Sequence, residues 1–225
     1  MPMMKRWFLK KVLLPAIALC SFVVPISGAH AALVNYSFTG NIDGISPIMV
    51  PVTGSFQFDN ATAGNNGAYN GAVTGFTLNF GGFFGYTTSL APGANAVTIS
   101  QNVSMSGGTG NRWELVSAVS GSEFGGFSPF SFDLRLDSKG GGLFNSTDLQ
   151  NPPSFGSVGS LPGLTAARWR LFFEDLDGNP AVFLGSITSL TAVPLPAAVL
   201  LFGAGLVSLV GLGAGGLRNL RRSQA

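Results

Sequence analysis

The densest group of oxygen ligands in the chain is Glu174-Asp175-Leu176-Asp177-Gly178-Asn179. Asp175, Asp177 and Asn179 have the one-three-five spacing by which a calcium loop presents its side chains. Such a loop places glycine at position six and a bidentate carboxylate at twelve, whereas here the glycine is at four and Ser186 stands at twelve. Asp177-Gly178 between two apolar runs is also a hairpin signal, so the segment reads first as a turn, with a surface calcium ion as the alternative. Glycoside hydrolysis would need two carboxylates facing each other across a cleft, and Glu114, Glu123, Asp133, Asp137, Glu174 and Asp175 are the supply. Asp133 and Asp137 fall on the wet side of an alternating run, where carboxylates serve solubility. We therefore assign no catalytic residue and expect no cofactor. An extracellular carbohydrate-active enzyme is the alternative, and it requires two acids converging in a groove.

The single Cys20 and the single His30 both lie within the first thirty residues. A chain shortened there would contain neither. That excludes a Ser-His-Asp or Cys-His nucleophile, a Cys/His zinc site and a disulfide. Trp113 and Trp169, with Tyr36, Tyr69 and Tyr86, could form a platform for stacking sugars. Trp169 keeps phase with Leu171 and Phe173, and Trp113 with Leu115, which assigns both tryptophans to the core. Tyr69 and Tyr86, in or near Gly-rich stretches, are expected to be the exposed pair.

The elements that must carry these residues show a period of two. Val50, Val52, Phe56 and Phe58 alternate with Thr53, Ser55 and Gln57, and Phe76, Leu78 and Phe80 alternate with Thr77 and Asn79. Phe130, Phe132, Leu134 and Leu136 alternate with Ser131, Asp133, Arg135 and Asp137, and Trp169, Leu171 and Phe173 with Arg168 and Arg170. This is the pattern of strands with one face buried and one wet. The spacing predicts strands near 33–40, 49–59, 72–80, 83–88, 96–104, 112–119, 129–137, 167–176 and 181–191, separated by Gly, Asn, Ser and Pro clusters. An all-β antiparallel sandwich or jelly roll is the expected fold. The stretch from Gly140 to Ala166 is long for a connection and has room for a lid or a mobile insertion.

Charge is distributed unevenly. Of twelve basic residues, four (Lys5, Arg6, Lys10, Lys11) lie in the first eleven positions and three (Arg218, Arg221, Arg222) in the last eight. Five remain between them against all ten acidic residues, a net charge of −5. The overall pI of 8.9 therefore misdescribes the middle of the chain, and a nucleic-acid-binding domain is not expected.

The two ends read as addresses. A basic start, an apolar stretch from Val12 to Ile26, and Ala29 and Ala31 at the −3 and −1 positions predict a signal peptide over residues 1–31 with cleavage after Ala31. At the other end Val193-Pro194-Leu195-Pro196-Ala197 precedes an apolar run from Ala197 to Leu217, then Arg218, Arg221 and Arg222. At ~1.5 Å per residue this run can cross the ~30 Å hydrocarbon core as a helix. The arginines after it hold the tail in the cytoplasm. Two prolines oppose helix formation, so Val193 to Pro196 is expected to stay extended outside the membrane.

This order of motif, helix and arginines resembles the PEP-CTERM sorting signal in its VPLPA variant. The resemblance covers Val193 to Arg222. It implies export by a Gram-negative host that makes extracellular polysaccharide, and processing by a membrane-embedded exosortase; Leu195, where the commoner motif has Glu, implies a different exosortase subtype. The segments Tyr36-Ser37-Phe38-Thr39-Gly40, Val52-Thr53-Gly54-Ser55-Phe56 and Phe172-Phe173-Glu174-Asp175 are similar to passenger domains of that family. The expected organisation is thus a signal peptide (1–31), a passenger domain (32–192) and a sorting signal (193–222). The expected protein is exported to the cell surface or matrix, with a structural or polysaccharide-associated role. The rival to processing is a permanently anchored single-pass protein.

Overall fold

The computed structural model describes residues 33–44, 50–81, 85–140 and 142–194. The signal-peptide positions Ala29 and Ala31, the motif residues Leu195, Pro196 and Ala197, the apolar run 197–217 and Arg218, Arg221 and Arg222 lie outside the described residues, as do the two expected flanking helices.

The described chain is all β. Its strands are β1 (Leu33–Ile42), β2 (Pro51–Asp59), β3 (Ala68–Asn70), β4 (Val73–Phe80), β5 (Tyr86–Met105), β6 (Gly108–Gly121), β7 (Ser128–Lys139), β8 (Leu164–Glu174) and β9 (Pro180–Val193). All pairings are antiparallel. Apart from the short β3, which pairs only with β5, each strand lies beside its neighbour in sequence, and β9 returns to pair with β1. The result is a closed eight-stranded up-and-down barrel and not the expected sandwich or jelly roll. Alternation reports one buried face per strand in either architecture; closure is a matter of pairing between chain ends. Closing the ring removes the exposed strand edges that an open sheet would have to protect.

Closure depends on β5. The expected strands 83–88 and 96–104 are one element, bent where its register with β6 shifts between Leu90 and Asn95. Pro92-Gly93 makes this irregularity instead of a chain reversal. The first part of β5 pairs with β4 and the later part with β3, while β6 follows both. Bulges of this kind bend a strand and raise its twist, which a closed barrel requires.

An eight-stranded barrel is just wide enough for side chains to fill, and here rings fill it. Tyr36 stacks on Phe56 at 5.1 Å between centroids, and Trp113 packs against Phe56 and Phe58 at 5.9 and 6.0 Å. Phe76 meets Phe132 at 4.4 Å in the middle. Farther along, Phe80 lies 5.0 Å from Tyr86, and Phe173 5.2 Å from Phe183. Burying each such ring contributes roughly 1.5–3 kcal/mol. Glycines make room for the largest of them. Gly185, opposite Trp169 in the β8–β9 register, lies under the indole so closely that a Cβ would overlap it, and Gly54 lies in the same way under the ring of its partner Phe38.

The long connection from Gly140 to Gly163 is a strap across the Tyr36–Trp113 end of the barrel. Three core side chains donate to its carbonyls: Tyr36 Oη to Pro152 O (2.7 Å), Tyr69 Oη to Thr147 O (2.7 Å) and Trp113 Nε1 to Gln150 O (3.0 Å). Phe144 and Phe155 of the strap are buried, and Phe155 exchanges two backbone hydrogen bonds with Leu190 of β9. The expected lid or insertion is therefore part of the core.

Candidate functional site

The outer face of β6, β7 and β8 gathers the charges of the domain. Arg112 and Glu114 on β6, Asp133, Arg135 and Asp137 on β7, and Arg168 and Arg170 on β8 all alternate with inward apolar residues, so they point out on neighbouring strands. The register sets Arg112 opposite Asp137, Glu114 opposite Arg135, and Asp133 opposite Arg170. Each of these pairs closes as an ion pair. Arg112 grips Asp137 through Nε (2.7 Å) and Nη2 (3.2 Å), and Arg170 grips Asp133 through Nε (2.9 Å) and Nη2. Arg135 donates Nε to Glu114 Oε1 (2.6 Å) and reaches Asp133 with Nη2 at 3.5 Å. The forked geometry suits guanidinium and carboxylate. The hydrogen bonds of Asp137 hold the pKa of Arg112 above its ordinary value.

Asp133, expected on a wet face, is only 4% exposed. The strand alternation did place it outward, but Arg135 and Arg170 cover it. Glu114, Asp133 and Asp137 are thus brought close together by the sheet, each already committed to an arginine, and not as an opposed pair across a cleft.

Arg168 differs from the other arginines. Among the described residues it makes no ion pair, and its register partner on β7 is another cation, Arg135. Like charges opposite one another on a sheet destabilise it. Beside Arg168 an open groove of about 420 Å³ runs over the strand ends, lined by Ser104, Ser106, Arg112, Asp137, Lys139 and Arg168. Lys139 has no carboxylate partner among the described residues and donates to Ser106 O.

On the other side of Arg170 the same face becomes apolar. The register shift between Pro129 and Ser131 turns Phe130 outward, against the expected alternation, leaving it 43% exposed. Its ring lies 6.2 Å from Phe172, over which Arg170 sits at 5.0 Å. Val182 and Leu184 of β9 continue the patch.

The aromatic residues expected to meet solvent do not. Tyr69 and Tyr86 are buried along with Tyr36, Trp113 and Trp169, and the exposed aromatic among the described residues is Phe130 instead, with Phe172 half-buried beside it. The two tryptophans lie in the core as their phase predicts. Asp175, Asp177 and Asn179 form the β8–β9 turn. Asp175 Oδ1 accepts from the backbone N–H of Asp177 (3.0 Å) and of Asn179 (2.7 Å), and Asn179 Nδ2 donates to Asp175 Oδ2 (2.8 Å). The carboxylate serves as a turn cap, and these bonds, that from the Asn179 side chain foremost, lower its pKa. Among the described residues no group of three or more His, Cys, Asp or Glu is placed to hold a metal, and no helix is long and apolar enough to cross a membrane.

Val193 closes β9 opposite Asn35 of β1, and Pro194 follows outside any regular element. The motif therefore begins on the last residue of the barrel. Set against protein-family models, curated proteins and solved structures, the chain matches none of them.

Proposed function

We propose that this chain is an exported passenger barrel, delivered by its signal peptide and processed through its C-terminal VPLPA signal by an exosortase, with a structural or polysaccharide-associated role at the cell surface. The observation that carries the reading is the ordered sequence from Val193 to Arg222: extended proline motif, apolar run, basic stop. The barrel is in keeping with it. Its interior is filled by aromatic side chains and its charged groups face outward, which suits a protein that works by its surface. Three of the six candidate carboxylates, Glu114, Asp133 and Asp137, are held in guanidinium pairs.

The test separates sorting from anchoring. A simple anchor needs only the apolar run and the arginines, while a processing enzyme also needs the extended peptide that Pro194 and Pro196 enforce. Replacing both prolines with alanine leaves the apolar length unchanged, so the variant should insert yet accumulate at full length in a host with the matching exosortase. Maturation of the variant at the wild-type rate, or a wild type that never loses its helix, would transfer the case to the permanently anchored rival.

A further inference from the structure

We propose that the outer face of β6–β8, from the Arg168–Lys139 groove to the Phe130–Phe172 pair, is a docking surface for an acidic polysaccharide whose uronate carboxylates seat on Arg168 and Lys139. The choice of a glycan rests on the surface reading above; the choice of an acidic one rests on the structure. All five basic residues of the domain lie on these three strands, beside four of its ten acids, Glu114, Asp133, Asp137 and Glu174. These three strands thus carry net +1 on a domain that elsewhere carries −6. So strong a segregation on neighbouring strands creates a local field that attracts anions and repels them elsewhere.

Within the face, two cations are not neutralised by a carboxylate, and both line the groove. Arg168 stands opposite Arg135 in the register. Arg135 is already bound by Glu114 and Asp133, so Arg168 is the cation of the pair left to take an incoming carboxylate. Farther along, Phe172 is four residues from Arg168 on β8, roughly 13 Å at the strand rise. The outward Phe130 offers a ring face on which the apolar face of a sugar can lie, supported by the half-buried Phe172, over which Arg170 sits. Between the two ends, Glu114, Asp133 and Asp137 alternate with arginines, so acceptors and donors interleave, as the hydroxyls of a sugar strand require.

The test uses the full-length chain in mild detergent, with polygalacturonate as acidic probe, dextran as neutral probe and a single-stranded DNA oligomer as the competing polyanion. Polygalacturonate should bind, and raising salt to about 1 M, where the screening length falls to about 3 Å, should abolish binding. The double variant Arg168→Gln/Lys139→Gln should bind at least tenfold more weakly while remaining folded, since neither side chain is part of an ion pair. Arg168→Lys should retain most of the affinity, and Phe172→Ala should weaken it severalfold. Equal binding to dextran, tighter binding to DNA, an unaffected double variant, or a dimer in sedimentation that only the double variant loses would each overturn the proposal. None of these outcomes bears on export or processing, which the proline variant reads independently.

Discussion

At the scale of single residues, Glu114, Asp133, Asp137 and Asp175, which looked available in the sequence, turn out to be bound within the fold. Asp133 is the clearest case. It is nearly buried, yet two arginines bind it, and each of them stays about 30% exposed. Replacing it by asparagine leaves Arg170 without its carboxylate and Arg135 with Glu114 alone. We expect Asp133→Asn to cost about 1–2 kcal/mol by urea unfolding, less than the roughly 3–5 of a fully buried pair because water still reaches both arginines. No change in midpoint would mean that the ladder contributes nothing. Asp175 makes a second case. Its carboxylate is capped by two backbone N–H groups and the Asn179 amide, so its folded pKa lies below the ordinary 3.8. A depressed pKa stabilises the turn above the ordinary value and ceases to do so as pH falls through the folded one. Carbon-detected NMR should therefore give Asp175 a midpoint below 3.8 and show the amide shifts of Asp177 and Asn179 moving with it. Chelation should leave the melting temperature unchanged, whereas a drop of several degrees with EDTA would restore the calcium reading.

At the scale of elements, the strap matters most for stability. It is irregular chain, apart from the single 3-10 turn Val158–Ser160, and it is held by hydrogen bonds from barrel side chains. Tyr36→Phe removes the 2.7 Å bond to Pro152 O and strands a carbonyl there, which should cost about 1–2 kcal/mol. Tyr86→Phe is the contrasting control. The Tyr86 hydroxyl is buried without a hydrogen-bond partner, and its neighbour Thr88 directs its own proton to Ser120 O. Losing that hydroxyl should be neutral or slightly stabilising. Equal losses for the two variants would show that the strap bond adds nothing beyond ring packing. The strap was legible only as a long connection, because its anchors are single carbonyls, which any residue type supplies. The bulge at Pro129–Ser131 was illegible for a similar reason: an extra residue in a strand shifts the phase without changing the composition.

At the scale of the whole molecule, the aromatic interior sets the response to alkali. Burial pushes the Tyr36 hydroxyl up to about 12, and that of Tyr86 is raised for the same reason. A raised folded pKa contributes stability that is complete below the ordinary value of 10.0 and is lost as pH climbs through the folded one. The urea midpoint should accordingly hold up to about pH 9 and fall between about 10 and 12, with absorbance at about 295 nm showing these tyrosinates only as the barrel opens. A midpoint independent of pH across that range would mean that the two hydroxyls are reached by water. The sequence by itself determined the local terms: which stretches are strands, apart from the short β3 and the continuity of β5, which residues of most strands face inward, where the β8–β9 turn falls, and that the domain is acidic between two basic ends. Each follows from neighbours along the chain, through the two-residue period of the strand and the turn preferences of Gly, Asn and Asp. Only the tertiary structure decided that β9 pairs with β1 to close a barrel, that Tyr69 and Tyr86 lie inside it, and that Glu114, Asp133 and Asp137 share one face with all five basic residues. These are facts of register between strands far apart in sequence, and a one-residue slip in that register would turn every such side chain to the opposite face.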